Sequence, residues 1–311
     1  MFDSFLLPLQ NAFNRKQAAA SSVSKPQAIV RYWRNLFVFG IATYVVVSFL
    51  AVSPLYRFYL FLPFPAGEEY KFEKLDGIPK EDVYVKGADG NTLHGWFFLN
   101  KNPDAPVVLV SHGTMGNISS RIALAKALLA SGASVLVYDY QGYGLSGGQP
   151  SLQALCVDGV LLYDFLVEQK KYHPSQVIVY GESLGCATSC KIVAARKCSG
   201  MILQSGFSSL VSAARGMYPL LYCWPDGAFP KPDMNNTEML KSPHPPLLIV
   251  HGKEDGLVPI SHAEKNYAGA ADPKEFVVFE KSGHVNLVEA ENSKFVAVVK
   301  GFLDKCKAKS I

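Results

Sequence analysis

The feature that most constrains this chain is a glycine-flanked serine between a strand and a helix. Residues 177–180 have the β-branched and aromatic composition of a strand, and Gly181-Glu182-Ser183-Leu184-Gly185 follows directly. Residues 186–195 then have the small side chains of a tightly packed helix. A Gly-x-Ser-x-Gly pentapeptide in this context holds a serine on a sharp turn with its hydroxyl above the sheet. The pattern predicts a nucleophile at Ser183, and an ordinary glycine-rich turn is the alternative.

Strands and helices alternate along the chain after residue 80. A hairpin is predicted at 82–86 and 92–99. Further strands are predicted at 107–111, 134–138, 177–181, 200–204, 247–251 and 276–280, and helices at about 118–131, 151–169, 184–195, 260–268 and 287–305. Such alternation predicts an α/β fold, with a mostly parallel doubly wound sheet and helices on both faces. Residues 208–246 interrupt the alternation, and we interpret them as a short cap insertion over the site.

A serine nucleophile needs a base, and the base needs a carboxylate to orient it. In a doubly wound sheet these partners follow the carboxyl ends of later strands. Asp255 and His284 stand at two such places, and the order Ser183, Asp255, His284 is that of the α/β-hydrolase fold. Glu254 is a competing acid. Asp255 could instead serve only an Asp-Gly turn, and His284 could be a surface histidine.

An oxyanion hole needs two backbone N–H groups close to the nucleophile. One is predicted at Leu184, directly after the serine, and the other in the loop 111–117 after an earlier strand. Within that loop Thr114 is the first candidate and Met115 the second.

Several other classes of function are disfavoured by the residues. Residues 142–147 match the dinucleotide pattern G-x-G-x-x-G, but the acidic residue required at the end of the next strand is missing, since Asp164 falls within a predicted helix. The net charge of +4 includes no Lys/Arg run, which argues against nucleic acid. The six cysteines lack metal-ligand spacing, and Cys186 and Cys190 are predicted to be buried thiols. We therefore expect no cofactor and no metal.

The 17 residues 36–52 contain no charge, and extension to residue 56 approaches the ~20 apolar residues that cross a bilayer. The sequence thus predicts a single transmembrane helix at 36–56, a cytoplasmic tail at 1–35 and a juxtamembrane linker at 57–79. Basic residues before the span place the N-terminus in the cytoplasm and the catalytic domain on the other side, in an endomembrane lumen or the periplasm. A cleaved signal peptide is the alternative, which Pro54 disfavours.

Five segments together resemble one known family; they are Ser-His-Gly-Thr-Met-Gly-Asn-Ile-Ser-Ser-Arg, residues 139–146, 181–185 and 251–259, and Ser282-Gly283-His284. They resemble the membrane-anchored α/β-hydrolase-domain proteins, which are similar to serine aminopeptidase-like hydrolases and to the branch that removes palmitate from proteins. The resemblance covers about residues 80–305 and implies a Ser-Asp-His esterase, thioesterase or lipase-like activity without a cofactor. The predicted oxyanion loop differs in sequence from that of the family, because this chain has Gly-Thr-Met-Gly where relatives often have Gly-Asn-Ala-Gly.

The expected protein is a membrane-anchored serine hydrolase whose hydrolase domain spans residues 80–311. Its expected reaction is hydrolysis of ester or thioester bonds in acyl, lipid or acyl-protein substrates through an acyl-enzyme. Apolar residues of the cap insertion favour such substrates, although they could simply pack the cap; they are Leu210, Met217, Leu220, Leu221, Trp224 and Phe229. A serine peptidase of the same fold and a non-catalytic membrane scaffold are the alternatives.

Overall fold

The structure, a computed structural model, describes residues 25–87 and 89–308. Most of the predicted cytoplasmic tail therefore lies outside the described residues. The chain divides into two compact units between Pro54 and Leu55. A long helix, α1 (Lys25–Leu60), occupies the described part of the first unit and ends in the second.

Helix α1 includes the run that was predicted to cross a membrane. The side chains of residues 26–46 are all exposed, and they include Gln27, Arg31, Arg34 and Asn35. Among the residues that the structure describes, no helix is both long enough and apolar enough to span a bilayer. The structure therefore does not support the predicted transmembrane helix at 36–56.

The second unit contains every strand of the described chain. The strands are β1 (Leu62–Pro63), β2 (Lys74–Leu75), β3 (Ile78–Lys86), β4 (Thr92–Phe98), β5 (Val107–Ser111), β6 (Met115–Gly116), β7 (Ser134–Tyr138), β8 (Val177–Glu182), β9 (Gly200–Gln204), β10 (Leu247–Gly252) and β11 (Lys274–Phe279). The further α-helices are α2 (Ile122–Ala130), α3 (Leu152–Glu168), α4 (Gly185–Ala195), α5 (Leu210–Met217), α6 (Asn236–Met239), α7 (Ser261–Gly269) and α8 (Leu287–Ala308). Short 3-10 helices occupy Glu68–Tyr70, Ile118–Arg121, Pro174–Gln176, Pro219–Cys223 and Asp226–Ala228.

Within the described residues, nine strands form one sheet in the order β11-β10-β9-β8-β5-β7-β4-β3-β2. The strands from β7 to β11 in this order are parallel, whereas β2, β3 and β4 are antiparallel to their neighbours. The predicted parallel sheet and the predicted hairpin, now β3 and β4, are both confirmed. Strands β1 and β6 form a separate parallel pair. The segment predicted as a juxtamembrane linker thus contributes β1 and β2.

Helices cover both faces of this sheet because its central strands are apolar on both sides. In β5, Val107 and Leu109 pack into the core cluster that also contains residues of α3, α4 and α7. Val108 and Val110 point to the opposite face, where residues of α2 and α8 complete a second cluster. Side chains alternate between the two faces of a strand, so a continuous apolar run such as β5 fits a sheet buried on both sides.

The parallel strands direct their carboxyl ends toward one edge of the sheet, where a site is expected in this type of fold. Six parallel strands of the described chain end at this edge, and four of the loops that follow them, after β5, β8, β10 and β11, matter for the site. They carry the residues 111–117, 183–185, 253–259 and 280–286, which include all six residues singled out by the sequence.

One buried carboxyl of the fold gives a pH-dependent test. Burial raises the pKa of Asp158 from 3.8 to about 6, against hydrogen bonds from Gln141 that lower it. Its Oδ1 accepts a hydrogen bond from Gln141 Nε2 at 3.1 Å, whereas Oδ2 is buried without a partner among the described residues. The folded state therefore binds this proton more tightly, and stability is lost as pH rises from about 4 to 6, by about 3 kcal/mol in the limit.

We expect Asp158→Asn to stabilise the protein by about 1 to 2 kcal/mol at pH 7.5, because a neutral amide is cheaper to bury than a carboxylate. The gain should vanish near pH 4, where the carboxyl is protonated. Urea unfolding at the two pH values measures it, and Asp304→Asn, at an exposed aspartate of α8, is the control. An equal change at both pH values would contradict the assignment.

Candidate active site

Ser183 lies on a strained turn between β8 and α4. Its φ is +54°, a left-handed conformation that non-glycine residues rarely adopt, and its N–H donates to the Gln204 carbonyl at 2.9 Å. The flanking glycines are required sterically. A Cβ on Gly181 would lie 2.4 Å from the Gly185 carbonyl oxygen, and a Cβ on Gly185 would lie 1.9 Å from the Ser111 carbonyl oxygen. The local sequence therefore forces the turn that exposes the serine hydroxyl.

His284 and Asp255 complete a line of hydrogen bonds from the serine. His284 Nε2 lies 2.9 Å from Ser183 Oγ, and His284 Nδ1 lies 2.7 Å from Asp255 Oδ2. A carboxylate only accepts, so Nδ1 carries the proton and donates it, and in the neutral ring Nε2 accepts from the serine hydroxyl. The arrangement can remove the serine proton and hold the resulting imidazolium against a buried carboxylate.

Asp255 is buried; three N–H groups donate to it, and a fourth, from His251, is shared with the Val258 carbonyl at 2.8 Å. Its Oδ1 accepts from the N–H groups of Leu257 and Val258 at 3.0 and 2.8 Å. Its Oδ2 lies 2.7 Å from His284 Nδ1 and 3.2 Å from Nε2 of the buried His251. Burial alone would raise the pKa of Asp255, but the hydrogen bonds from His251 and His284 outweigh it and hold the pKa well below its usual range. Asp255 is therefore ionised throughout the physiological range.

The loops that carry the acid and the base pack directly on each other. A Cβ on Gly252 would lie 2.2 Å from the Gly283 carbonyl oxygen, so only glycine permits this approach. The Glu254 N–H donates to the Ser282 carbonyl at 3.0 Å, while its side chain is exposed. Glu254, the competing acid of the sequence, thus links the loops through its backbone and leaves Asp255 to contact the histidine.

The loop after β5 places Thr114 and Met115 on the wall of the same cavity as Ser183. Hydrogen bonds hold two carbonyl groups of this loop in place. The Thr114 carbonyl accepts from the Leu62 N–H of β1 at 3.0 Å and from the Tyr143 hydroxyl at 2.7 Å. The Met115 carbonyl accepts from Arg121 Nη1 at 2.7 Å. A planar trans peptide turns its N–H opposite its carbonyl, so the bonds to the Thr114 carbonyl also fix the direction of the Met115 N–H, and the bond to the Met115 carbonyl fixes that of the Gly116 N–H.

A buried ion pair joins this loop to the nucleophile turn. Arg121 Nη2 lies 2.5 Å from Oε1 of Glu182, the residue directly before the serine. Both side chains are almost fully buried and both line the cavity.

The cavity beside Ser183 has a volume of about 380 Å³. Much of its wall is apolar, contributed by Phe64, Met115, Leu124, Leu257, Val285 and Val288. None of the described cap residues 208–246 lines it. The apolar wall therefore comes from the segment after α1, the loop after β5, helix α2, the loops that carry Asp255 and His284, and the first turn of α8. Trp224 and Phe229 are instead buried, as expected for residues that pack the cap.

The structure brings Ser183, Asp255 and His284 into hydrogen-bond contact, and it places Thr114 and Met115 at the cavity and Leu184 directly after the serine. Sequence reasoning missed the ion pair, the contact from His251 to Asp255 and the support from Tyr143. Tyr143 belongs to the loop 142–147 that matched a dinucleotide pattern. The available signal for the ion pair was two opposite charges inside otherwise uncharged motifs, Arg121 and Glu182.

Comparison with known proteins identifies the family. Residues 102–242 match the family model described as serine aminopeptidase, S33. An uncharacterised protein of Mycobacterium tuberculosis is 36% identical over 204 residues, which cover 65% of this chain and 72% of that protein. The chain belongs to the serine aminopeptidase S33 family.

Two further similar proteins agree with the fold. The alpha/beta hydrolase domain-containing protein 17B of Xenopus tropicalis is 29% identical over 252 residues, covering 76% of this chain and 83% of that protein. An esterase of Pyrococcus furiosus superposes with a TM-score of 0.65 at 21% identity, covering 79% of this chain and 98% of that one. The α/β-hydrolase fold predicted from the sequence is thereby confirmed.

The two neighbouring acids give a matched test of the site in this S33 hydrolase. We expect Asp255→Asn to lower kcat by roughly 10⁴-fold, because an amide cannot hold the histidine tautomer that accepts the serine proton. Glu254→Gln should stay within about twofold of wild type, since its side chain touches neither the histidine nor the serine. Steady-state hydrolysis of a p-nitrophenyl ester measures both variants. A large loss in Glu254→Gln with an active Asp255→Asn would reverse the assignment of the acid.

Proposed function

We propose that this S33 member is a serine hydrolase that cleaves carboxylic ester or thioester bonds of acyl, lipid or acyl-protein substrates. The observation that carries the proposal is the unbroken line of hydrogen bonds from Ser183 through His284 to Asp255, opening on a largely apolar cavity. An apolar cavity with a few polar groups at one end suits an acyl chain that ends in a reactive carbonyl.

In the proposed reaction, Ser183 Oγ attacks the substrate carbonyl while His284 Nε2 takes the hydroxyl proton. The carbonyl oxygen becomes an oxyanion, which the amides of Leu184 and Thr114 stabilise, with Met115 as the second candidate in the loop. The tetrahedral intermediate expels the alcohol or thiol, which receives the proton from His284. Water then attacks the acyl-enzyme by the same proton transfers and releases the acid. The proposed reaction needs no cofactor and no metal.

A peptidase is a second candidate because the family model is described as a serine aminopeptidase. One observation favours it: the exposed Glu289 lies at the cavity and could pair with the α-ammonium group of a peptide substrate. The apolar wall opposes it, since peptide groups entering such a cavity must lose hydrogen bonds to water. Relative kcat/KM values on p-nitrophenyl acyl esters and on aminoacyl p-nitroanilides separate the two, and we expect the esters to be preferred.

The nucleophile is tested with a fluorophosphonate probe and a serine control from the same cavity. We expect the wild type to label stoichiometrically and to hydrolyse p-nitrophenyl acyl esters. Ser183→Ala should abolish labelling and lower kcat by roughly 10⁶-fold. Ser120→Ala changes another serine of the cavity wall and should leave both unchanged. A wild type that neither labels nor hydrolyses any acyl ester or aminoacyl amide would favour the non-catalytic scaffold and end the proposal.

Localisation is a separate proposal that rests on the sequence. We propose a single-pass membrane protein with its N-terminus in the cytoplasm and its catalytic domain on the non-cytoplasmic side, because an uncharged run at 36–52 follows basic residues. The full chain should stay with membranes through alkaline carbonate extraction, and its C-terminal part should resist protease in sealed vesicles. Release by carbonate, or digestion from the cytoplasmic side, would disprove it.

A further inference from the structure

We infer that Arg121 is a positioning residue that, together with Glu182, locks the oxyanion loop (Gly113–Gly116) to the nucleophile turn. The inference rests on the proposed function, because it concerns the hole that would hold the oxyanion. It assigns a role to a buried ion pair that takes no part in the proton transfers.

The first support is the position of the guanidinium inside the curve of the oxyanion loop. Nη1 donates to the Met115 carbonyl at 2.7 Å. Nη2 lies 3.2 Å from the place of a Cβ on Gly113, and Nη1 lies 3.3 Å from that on Gly116. The planar group therefore bonds the middle of the loop and lies close to both of its ends.

The second support is the anchor on the other side of the pair. Glu182 is the last residue of β8, and its neighbour Ser183 is held by its own N–H on the Gln204 carbonyl. The Glu182 carboxylate binds Arg121 Nη2 at 2.5 Å, and its Oε1 lies 3.0 Å from the place of a Cβ on Gly113. The rigid strand end thus fixes the guanidinium, and the guanidinium fixes the loop.

The chemistry explains why an arginine stands here. A guanidinium is planar, and its separate N–H groups can donate to a carbonyl and a carboxylate at the same time. An ammonium group carries all its N–H donors on one nitrogen, so it is a compact point charge. A buried ion pair is weak evidence for stability, because an apolar pair of similar volume is often as stable. A role in holding in place the loop that carries the proposed donors gives the pair a reason to be charged, since catalysis by an oxyanion hole depends on donors fixed before the reaction.

The test is a set of full-length variants measured for stability, kinetics and binding of a transition-state analogue. Arg121→Met with Glu182→Leu replaces the pair by apolar side chains. We expect this double variant to retain its Tm within a few degrees, to lose about 10- to 100-fold in kcat and to change KM by less than about threefold. Arg121→Lys should retain the charge but also lower kcat, because one ammonium group cannot take the place of both terminal nitrogens of the guanidinium.

An alkylboronic acid, which forms a tetrahedral adduct on the serine, reports on the hole directly. Its Ki should rise in proportion to the loss in kcat, because both depend on the oxyanion donors and KM does not. Arg196→Met is the matched control. Arg196 donates to both oxygens of Asp164 at 2.7 and 2.8 Å on the surface, so removing this pair should leave kcat and Ki unchanged.

Different results would disprove this inference and the proposed function. A double variant that keeps both its Tm and its kcat within about twofold would overturn the inference while Ser183 remained the nucleophile. Unfolding of every Arg121 and Glu182 variant would assign the pair to folding and would also overturn it. Failure of the proposed function shows elsewhere, as a wild type that does not react with the fluorophosphonate.

Discussion

The structure depends on the contact between β5 and the start of α4, where Gly185 meets the carbonyl of Ser111 with no space for a side chain. This contact allows the helix to begin directly beneath the loop that follows β5. It therefore puts the serine turn and the oxyanion loop side by side, although about 70 residues separate them in the chain. The left-handed backbone of Ser183 follows from the same packing, since the surrounding sheet and helix enforce a conformation that is unfavourable alone.

The polar groups behind the cavity form two separate systems. In one, Asp255 gathers donors from two backbone amides and two histidines, so that a buried carboxylate stays charged and His284 stays oriented. In the other, the carbonyls of Thr114 and Met115 accept from Tyr143, β1 and Arg121. In the proposed reaction, the first system would orient the base and the second would hold the loop that carries the oxyanion donors.

The sequence predicts the fold and the three polar groups well because both depend on local patterns. Strand ends are marked by apolar runs that stop at glycine or a polar residue, and Ser183, Asp255 and His284 each follow such an end. The ion pair depends instead on residues 61 apart, and no local pattern relates them.

The segment 57–79 was predicted as a linker because its strands are only two residues long and have no periodicity. The uncharged run at 36–52 suggested a bilayer span, whereas the described helix also carries polar and charged residues.

The pairing of β1 with β6 determines where the catalytic part of the chain begins. By sequence, a catalytic fragment would start near residue 80, where strands and helices begin to alternate. Such a fragment would retain the central parallel strands and most of both core clusters, although it would lose Phe61 from one and Tyr70 and Leu75 from the other. It would nevertheless lack the Leu62 amide that holds the Thr114 carbonyl and the Phe64 side chain that closes one wall of the cavity. The segment that surrounds the complete cavity is therefore longer than the alternating pattern of strands and helices, and it begins immediately after α1.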